Sequence, residues 1–297
     1  MSDQALTDFL PRRRERLAAT KNALKRILRD PLGAIGLTLV VLAVLSAVFA
    51  GVLTNYDPNR ISPMVRFAPA SLQHLLGTDH LGRDLFARVL FGGRIALSVA
   101  VGATAASLIM GMVLGLIAGY GPRWLDNILL LIFDGVKSFP TVMLALTLVT
   151  LSGPSLLAVV FVVVLVSVPG YARIIRTQTL VMRSAEHVIA ARSMGASTGR
   201  ILRVHILPNI IGPILIVASM DVPSVVAIEA GLSFLGLGVR PPTASWGTIL
   251  NDGFSNIRDS YWILIAGGLP IVLTTLGFTF LGETLRDVFD PRLRERS

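Results

Sequence analysis

The chain has 297 residues, 53% of them hydrophobic and 15% charged, with no cysteine and a mean hydropathy of +0.70. Soluble domains do not reach this balance, and charge-poor apolar runs near 20 residues long mark a helical membrane protein. A net charge of +9 would also suit a nucleic-acid binder, but the apolar runs do not, so no nucleic acid is expected as a partner and the charge reads as loop bias.

In chain order, residues 1–31 carry Arg12, Arg13, Arg14, Arg16, Lys21, Lys25, Arg26 and Arg29, outnumbering their acidic neighbours, and such a segment stays in the cytoplasm. The run from Leu32 to Leu53 starts too far in and continues too long for a cleaved signal peptide, so it predicts a retained first span. Residues 54–94 form an outer loop that ends in GTDHLGRDLFARVLFGGR, Gly77 to Arg94. Its His74, Asp79, His80 and Asp84 fit no metal-ligand spacing, and no metal site is expected. Ile95 to Tyr120 is the second span, with Gly102, Gly111, Gly115 and Gly119 spaced for close helix contact. After the turn GPRWLD, the third span runs from Asn127 to Leu151; Gly153-Pro154 interrupts, and the fourth runs from Ser155 to Ala172. A polar stretch, Ser184 to Asn209, separates it from the fifth span, Leu207 to Ile228, and Tyr261 to Gly282 is the sixth. Residues 286–297 form a basic tail.

Six spans with a cytoplasmic N-terminus leave the C-terminus in the cytoplasm. Cytoplasmic segments then hold roughly three times as many Lys and Arg as outer ones, as the positive-inside bias requires. The same topology puts Ser184 to Asn209 in the cytoplasm. There Ser184 can cap a short helix with Glu186 in its first turn, and Gly195 suits the left-handed residue that ends it. Ser197 can cap a second helix that runs until Pro208. Val188, Ala191 and Gly195 share one face of the first helix, and Ile201, Leu202 and His205 cluster on the second. Arg192, Arg200 and Arg203 surround this bent pair, which has the shape of a docking knob. A membrane-surface helix pair without a partner is the plain alternative.

Ionisable residues within spans are functional candidates. Asp134 and Lys137, three apart on the third span, are expected to neutralise each other, with a substrate contact as the alternative. Asp221, just before Pro223, and Glu229, at the outer end of the fifth span, are candidates to line a polar pathway. Pro140, Pro169 and Pro213 read as kinks and the three Trp as interfacial anchors. No nucleophile–base constellation appears, so no catalytic residue is expected. A phosphate-binding loop needs Gly-Lys before Ser or Thr, and no Gly-Lys occurs in the chain. Fuel for active transport would therefore be handled by another polypeptide or an ion gradient.

Ala190-Ala191-x3-Gly195 followed by Leu207-Pro208 resembles the cytoplasmic loop of permease subunits of ATP-binding-cassette importers, with departures at Ile189 (usually Glu) and His205 (often Ile). GTD-x-x-GRD, then Phe91-Gly92-Gly93-Arg94, is similar to the dipeptide, oligopeptide and nickel branch. So are Leu232 to Gly238 with Pro241-Pro242 and Trp246-Gly247, and the closing Leu285-Arg286-Asp287 and Asp290-Pro291-Arg292. Together they run along nearly the whole chain and resemble the C-type permease of that branch. The resemblance implies an all-α integral membrane protein of type I ABC importer permease fold, with six transmembrane helices and both termini cytoplasmic. Residues 32–53 would be the first helix, 54–94 the extracytoplasmic loop and 95–285 the permease core. It further implies an ATPase-coupling loop over 184–209, comprising Ser184, Glu186, Ala190, Ala191, Arg192, Gly195, Ala196, Ser197, Arg200, His205, Leu207 and Pro208. Implied partners are a homologous permease subunit, two ATPase subunits, an extracytoplasmic solute-binding protein and membrane lipid. ATP and Mg2+ would be bound by the ATPases, with no cofactor in this chain, and the cargo would be a di- or oligopeptide. Nickel chelates, opines or another small solute are alternatives, as is an ion-coupled transporter that uses Asp134, Lys137 and Asp221 as a relay.

Overall fold

The computed structural model describes residues 25–289, and the readings made for most of the basic N-terminal segment and for the end of the tail fall outside them. Among the described residues the regular structure is helical. Helix α1 (Pro31–Val48) begins where Asp30 accepts a 2.8 Å hydrogen bond from the Gly33 amide, with Pro31 in the first turn, where its missing N–H costs nothing. Thr284 Oγ1 also donates to Asp30 at 2.8 Å. That bond, with the one from Gly33, holds the Asp30 carboxyl below the usual carboxylate range. After Phe49 the chain continues as a short helix, Ala50–Leu53.

Helix α2 (Leu85–Tyr120) is capped by Asp84, whose side chain accepts from the Ala87 amide at 2.7 Å. It begins ten residues before the predicted span. The expected third span, Asn127 to Leu151, is not one straight helix. It is α3 (Arg123–Ser138) and α4 (Thr141–Ser152), bent by 89° at the break. Pro140 supplies no amide and forces an extended backbone on Phe139, which has ψ 133°. Helix α5 (Leu156–Arg183), capped by Ser155, runs past the predicted end at Ala172. Then come α6 (Glu186–Ser193), a single turn Thr198–Arg200, a π-helical turn Ile201–Ile206, α7 (Leu207–Phe234), α8 (Trp246–Ser255) and α9 (Tyr261–Phe289). Five described helical stretches are long and apolar enough to cross a membrane, and the bent pair makes a sixth if it is one span.

Helices α2 and α5 pack closely because of three glycines. A Cβ on Gly111 would lie 2.5 Å from Tyr171 Cβ, one on Gly115 2.7 Å from the Ala172 carbonyl oxygen, and one on Gly119 2.7 Å from Thr179 Cβ. Gly102, expected in the same contact, has nothing within 4 Å of that position. It precedes Gly111 by nine residues and so faces the opposite way. Helix α1 lies against α9, where Gly36 and Gly277 allow similarly close approach. One apolar core joins α2, α5, α7, α8 and α9 through residues such as Val99, Val162, Val225, Trp246 and Ile263. Trp246 is therefore not an interfacial anchor: it is 3% exposed and its indole N–H donates to the Val89 carbonyl at 2.9 Å. A second core, built from Tyr171, Ile175, Val188, Ile201, Ile206 and Ile210, supports the polar stretch after α5.

Candidate functional site

Residues 184–209 form a bent projection at one end of the bundle. Ser184 does not cap its first helix. Its backbone is helical and its Oγ donates to the Val181 carbonyl at 2.8 Å, so it closes α5, whose last carbonyls need donors. Ala185 takes the cap position of α6 without a side-chain bond, and Glu186 sits exposed in the first turn. Gly195 behaves as its residue type requires, with φ +82°. The Ala196 amide donates to the Ala191 carbonyl at 3.1 Å and the Gly195 amide to Arg192 at 3.0 Å, the paired bonds of a Schellman motif. Ser197 has the extended backbone of a cap residue but makes no side-chain cap bond.

The second helix does not stop at Pro208. Thr198–Arg200, the π turn and α7 follow one another without a break, and Pro208 lies in the first turn of α7, where no amide is needed. The π turn is closed by Asn209 Nδ2 donating to the His205 carbonyl at 2.6 Å. Val188 is buried with Ile201 and Ile206 in the second core and Ala191 is also buried, whereas Gly195 is exposed. Ala190, Arg192, Ser197, Arg200 and Pro208 are exposed, Ala196, His205 and Leu207 partly so. The His187 and His205 rings lie 6.2 Å apart. Tyr120, at the end of α2, anchors the projection: the Arg183 and Arg192 guanidinium carbons stand 5.4 and 5.5 Å from its ring centre. Arg192 Nη2 also donates to its hydroxyl at 3.1 Å. Arg176 of α5 donates a fork of hydrogen bonds to Asp126 of α3, Nη2 to Oδ2 at 2.6 Å.

A cavity of about 670 Å³ opens where α5 and α7 face the end of α3 and α9, with Lys137, Tyr171, Asp221 and Arg286 among its lining residues. The Tyr171 hydroxyl donates to Asp221 Oδ2 at 3.1 Å. The expected pair of Asp134 and Lys137 does not form. Asp134 meets Arg173 of α5 instead, and Lys137 points to the cavity. Three residues apart on a helix is near enough to pair, but the longer Arg173 reaches Asp134 from the neighbouring helix. Glu229 lies away from this cavity: it is fully buried towards the other end of α7 and accepts from Ser233 Oγ at 2.8 Å.

At that other end, the GTDHLGRD stretch forms a buried ionic clamp. Asp79 accepts from the Leu81 and Arg83 amides at 2.8 and 2.9 Å and from Arg83 Nε at 2.6 Å. Arg83 and Arg88 each donate to Asp252 of α8, at 2.9 and 3.2 Å, so the long loop is fastened to an element far along the chain. His74 Nδ1 lies 2.8 Å from Asp84 Oδ2. Asp79, His80 and Asp252 could bring ligand atoms within 4.8 Å of one another, but the two guanidinium groups already engage the carboxylates a cation would need. The α8 helix escaped the sequence reading. Its signal was local: Ser245 and Thr248 form a capping box.

The family described as "Binding-protein-dependent transport system inner membrane component" matches residues 111–295. A second, "N-terminal TM domain of oligopeptide transport permease C", matches residues 19–70. The chain is 36% identical to the dipeptide transport system permease protein DppC of Alkalihalophilus pseudofirmus, over 92% of this chain and 90% of that one. It is 35% identical to the oligopeptide transport system permease protein OppC of Bacillus subtilis, over 94% and 92%. To the di/tripeptide permease DppC of Pseudomonas aeruginosa it is also 35% identical, over 87% and 88%. In fold it is similar to a chain of the MetNI methionine ABC transporter in an inward facing conformation. That match has a TM-score of 0.54 at 17% identity and covers 68% of this chain and 97% of the other. The all-helical bundle is thus that of a type I importer permease. The chain belongs to the family of binding-protein-dependent transport system inner membrane components, the multi-pass permeases of ATP-binding-cassette importers.

Proposed function

We propose that the chain is one of two permease subunits of an ATP-driven peptide importer. It pairs with a homologous permease around a shared pathway, receives di- or oligopeptides from an extracytoplasmic binding protein, and rests in membrane lipid. It docks one ATPase subunit through residues 184–209 and catalyses nothing itself; ATP and Mg2+ stay on the two ATPases. The named substrates of its relatives are dipeptides, di/tripeptides and oligopeptides, which favours peptides over nickel chelates or opines. Both termini face the cytoplasm in this reading, on the side of the projection.

The observation that carries it is the continuity of the exposed loop with α7. The Schellman joint at Gly195 fixes the bend, and the helix beyond it runs on into the wall that holds Asp221. A push on the projection from an ATPase therefore moves a pathway wall without passing through a flexible link. Purification in mild detergent should bring the ATPase subunits down with this chain. Gly195→Pro removes an amide that donates at 3.0 Å and cannot adopt φ +82°. We expect it to retain membrane insertion and lose uptake driven by ATP. Normal ATP-driven uptake by that variant would count against the docking role of the loop, and transport by the chain alone in an ion gradient would count for the rival ion-coupled transporter.

A further inference from the structure

The cavity beside Asp221 holds charges of both signs that do not neutralise each other. Lys137 and Asp221 line the same space, yet among the described residues no ion pair joins them. Asp221 is instead oriented by the Tyr171 hydroxyl at 3.1 Å, which leaves the carboxylate its remaining acceptor positions. Arg286 adds a second cation to the lining, and Pro213 and Met220 contribute apolar wall. At about 670 Å³ the space falls within the roughly 300–1,000 Å³ usual for small-ligand sites. Above Gly170, another lining residue, a side chain would meet nothing within 4 Å.

A lone divalent cation would find one carboxylate and two repelling cations here, and an anion would find the reverse conflict at Asp221. A molecule that carries both charges at separated ends satisfies every group. We propose that this cavity is a transit site for short zwitterionic peptides, with Asp221 meeting the terminal ammonium and Lys137, helped by Arg286, meeting the terminal carboxylate. The inference rests on the reading of the chain as a peptide permease and adds what that reading lacks: which part of the cargo this subunit touches. Recognition of the two ends alone leaves the side chains unread, as a pathway serving peptides of mixed sequence requires.

The test uses the absence of cysteine in the chain. Ile174 lines the cavity and is 38% exposed, so Ile174→Cys in the assembled transporter gives a single maleimide target on this subunit, with Met220→Cys as a second reporter. Trialanine should slow labelling at a concentration about tenfold lower than N-acetyl-trialanine amide, which lacks both charges, the difference expected for losing charge-assisted hydrogen bonds. Adding Asp221→Asn or Lys137→Gln should erase most of that advantage. Equal protection by free and capped peptide, or no protection by either, overturns the site. ATP-driven trialanine uptake by the same transporter separates the two levels. If uptake persists without protection, the peptide-permease reading stands and the site falls; if uptake is also absent, both fall.

Discussion

A methyl group added at Gly115 would press on the Ala172 carbonyl and on Ile175 Cβ at 2.7 Å, and neither can swing away as a side-chain tip could. Gly115→Ala should therefore force α2 and α5 apart and cost about 1–3 kcal/mol, the usual range for overpacking. Gly102→Ala, on the open face of the same helix, should be neutral or stabilise by up to about 1 kcal/mol through helix propensity. Unfolding of the two variants in detergent, followed side by side, checks the sign of each. The pattern at 111, 115 and 119 was legible because spacing by four keeps residues on one face. Gly102 was misread because a spacing by nine was treated as though it did the same. The Asp134 pairing failed for a different reason: helix spacing reveals neighbours on one helix, and Arg173 belongs to another.

At the scale of elements, hydropathy located the five long apolar helices and the bent pair, but not their shapes. Asn127 to Leu151 is mainly apolar despite Asp134 and Lys137, and only Pro140 signals that the run folds into two helices at 89°. Helices α2, α5, α7 and α9 are all longer than their apolar stretches, whereas α1 stops at Val48, before the predicted end at Leu53. Backbone hydrogen bonding does not stop where hydrophobicity does. The stretch from Gly77 to Asp84 was conspicuous as a motif, whereas its physical role depends on Asp252, which no local pattern connects to it. Asp79 is fully buried and accepts three hydrogen bonds, one of them from the Arg83 side chain. Asp79→Ala would leave two arginines short of a counter-charge and should destabilise by about 3–5 kcal/mol. Limited proteolysis should then cut the 54–84 loop readily. Asp252→Asn should do less, since Asp252 keeps 24% of its side-chain surface in contact with solvent. A loop in Asp79→Ala as protease-resistant as the parent's would refute the clamp.

For the whole molecule, the proposed coupling would divide a force arriving at the projection along two routes. One passes through the π turn into α7. The other passes from Arg192 to the Tyr120 ring of α2, against which Arg183 of α5 also stacks, and so, there and across the glycine contact, into α5. The second route would keep the two walls of the bundle moving together, and it hangs on one aromatic side chain. Tyr120→Phe retains both stacked guanidinium groups and loses only the 3.1 Å bond from Arg192, a loss of about 1 kcal/mol. Tyr120→Ala removes both stacks as well, worth about 0.5–1 kcal/mol each at exposed sites. If the proposed coupling holds, peptide taken up per ATP hydrolysed should fall only a few-fold in the Phe variant and by about tenfold or more in the Ala variant. Uptake and hydrolysis measured on the same proteoliposomes give that ratio directly. An unchanged ratio in Tyr120→Ala would mean that α7 transmits the stroke alone and that the arginine clasp serves only to hold the loop in place.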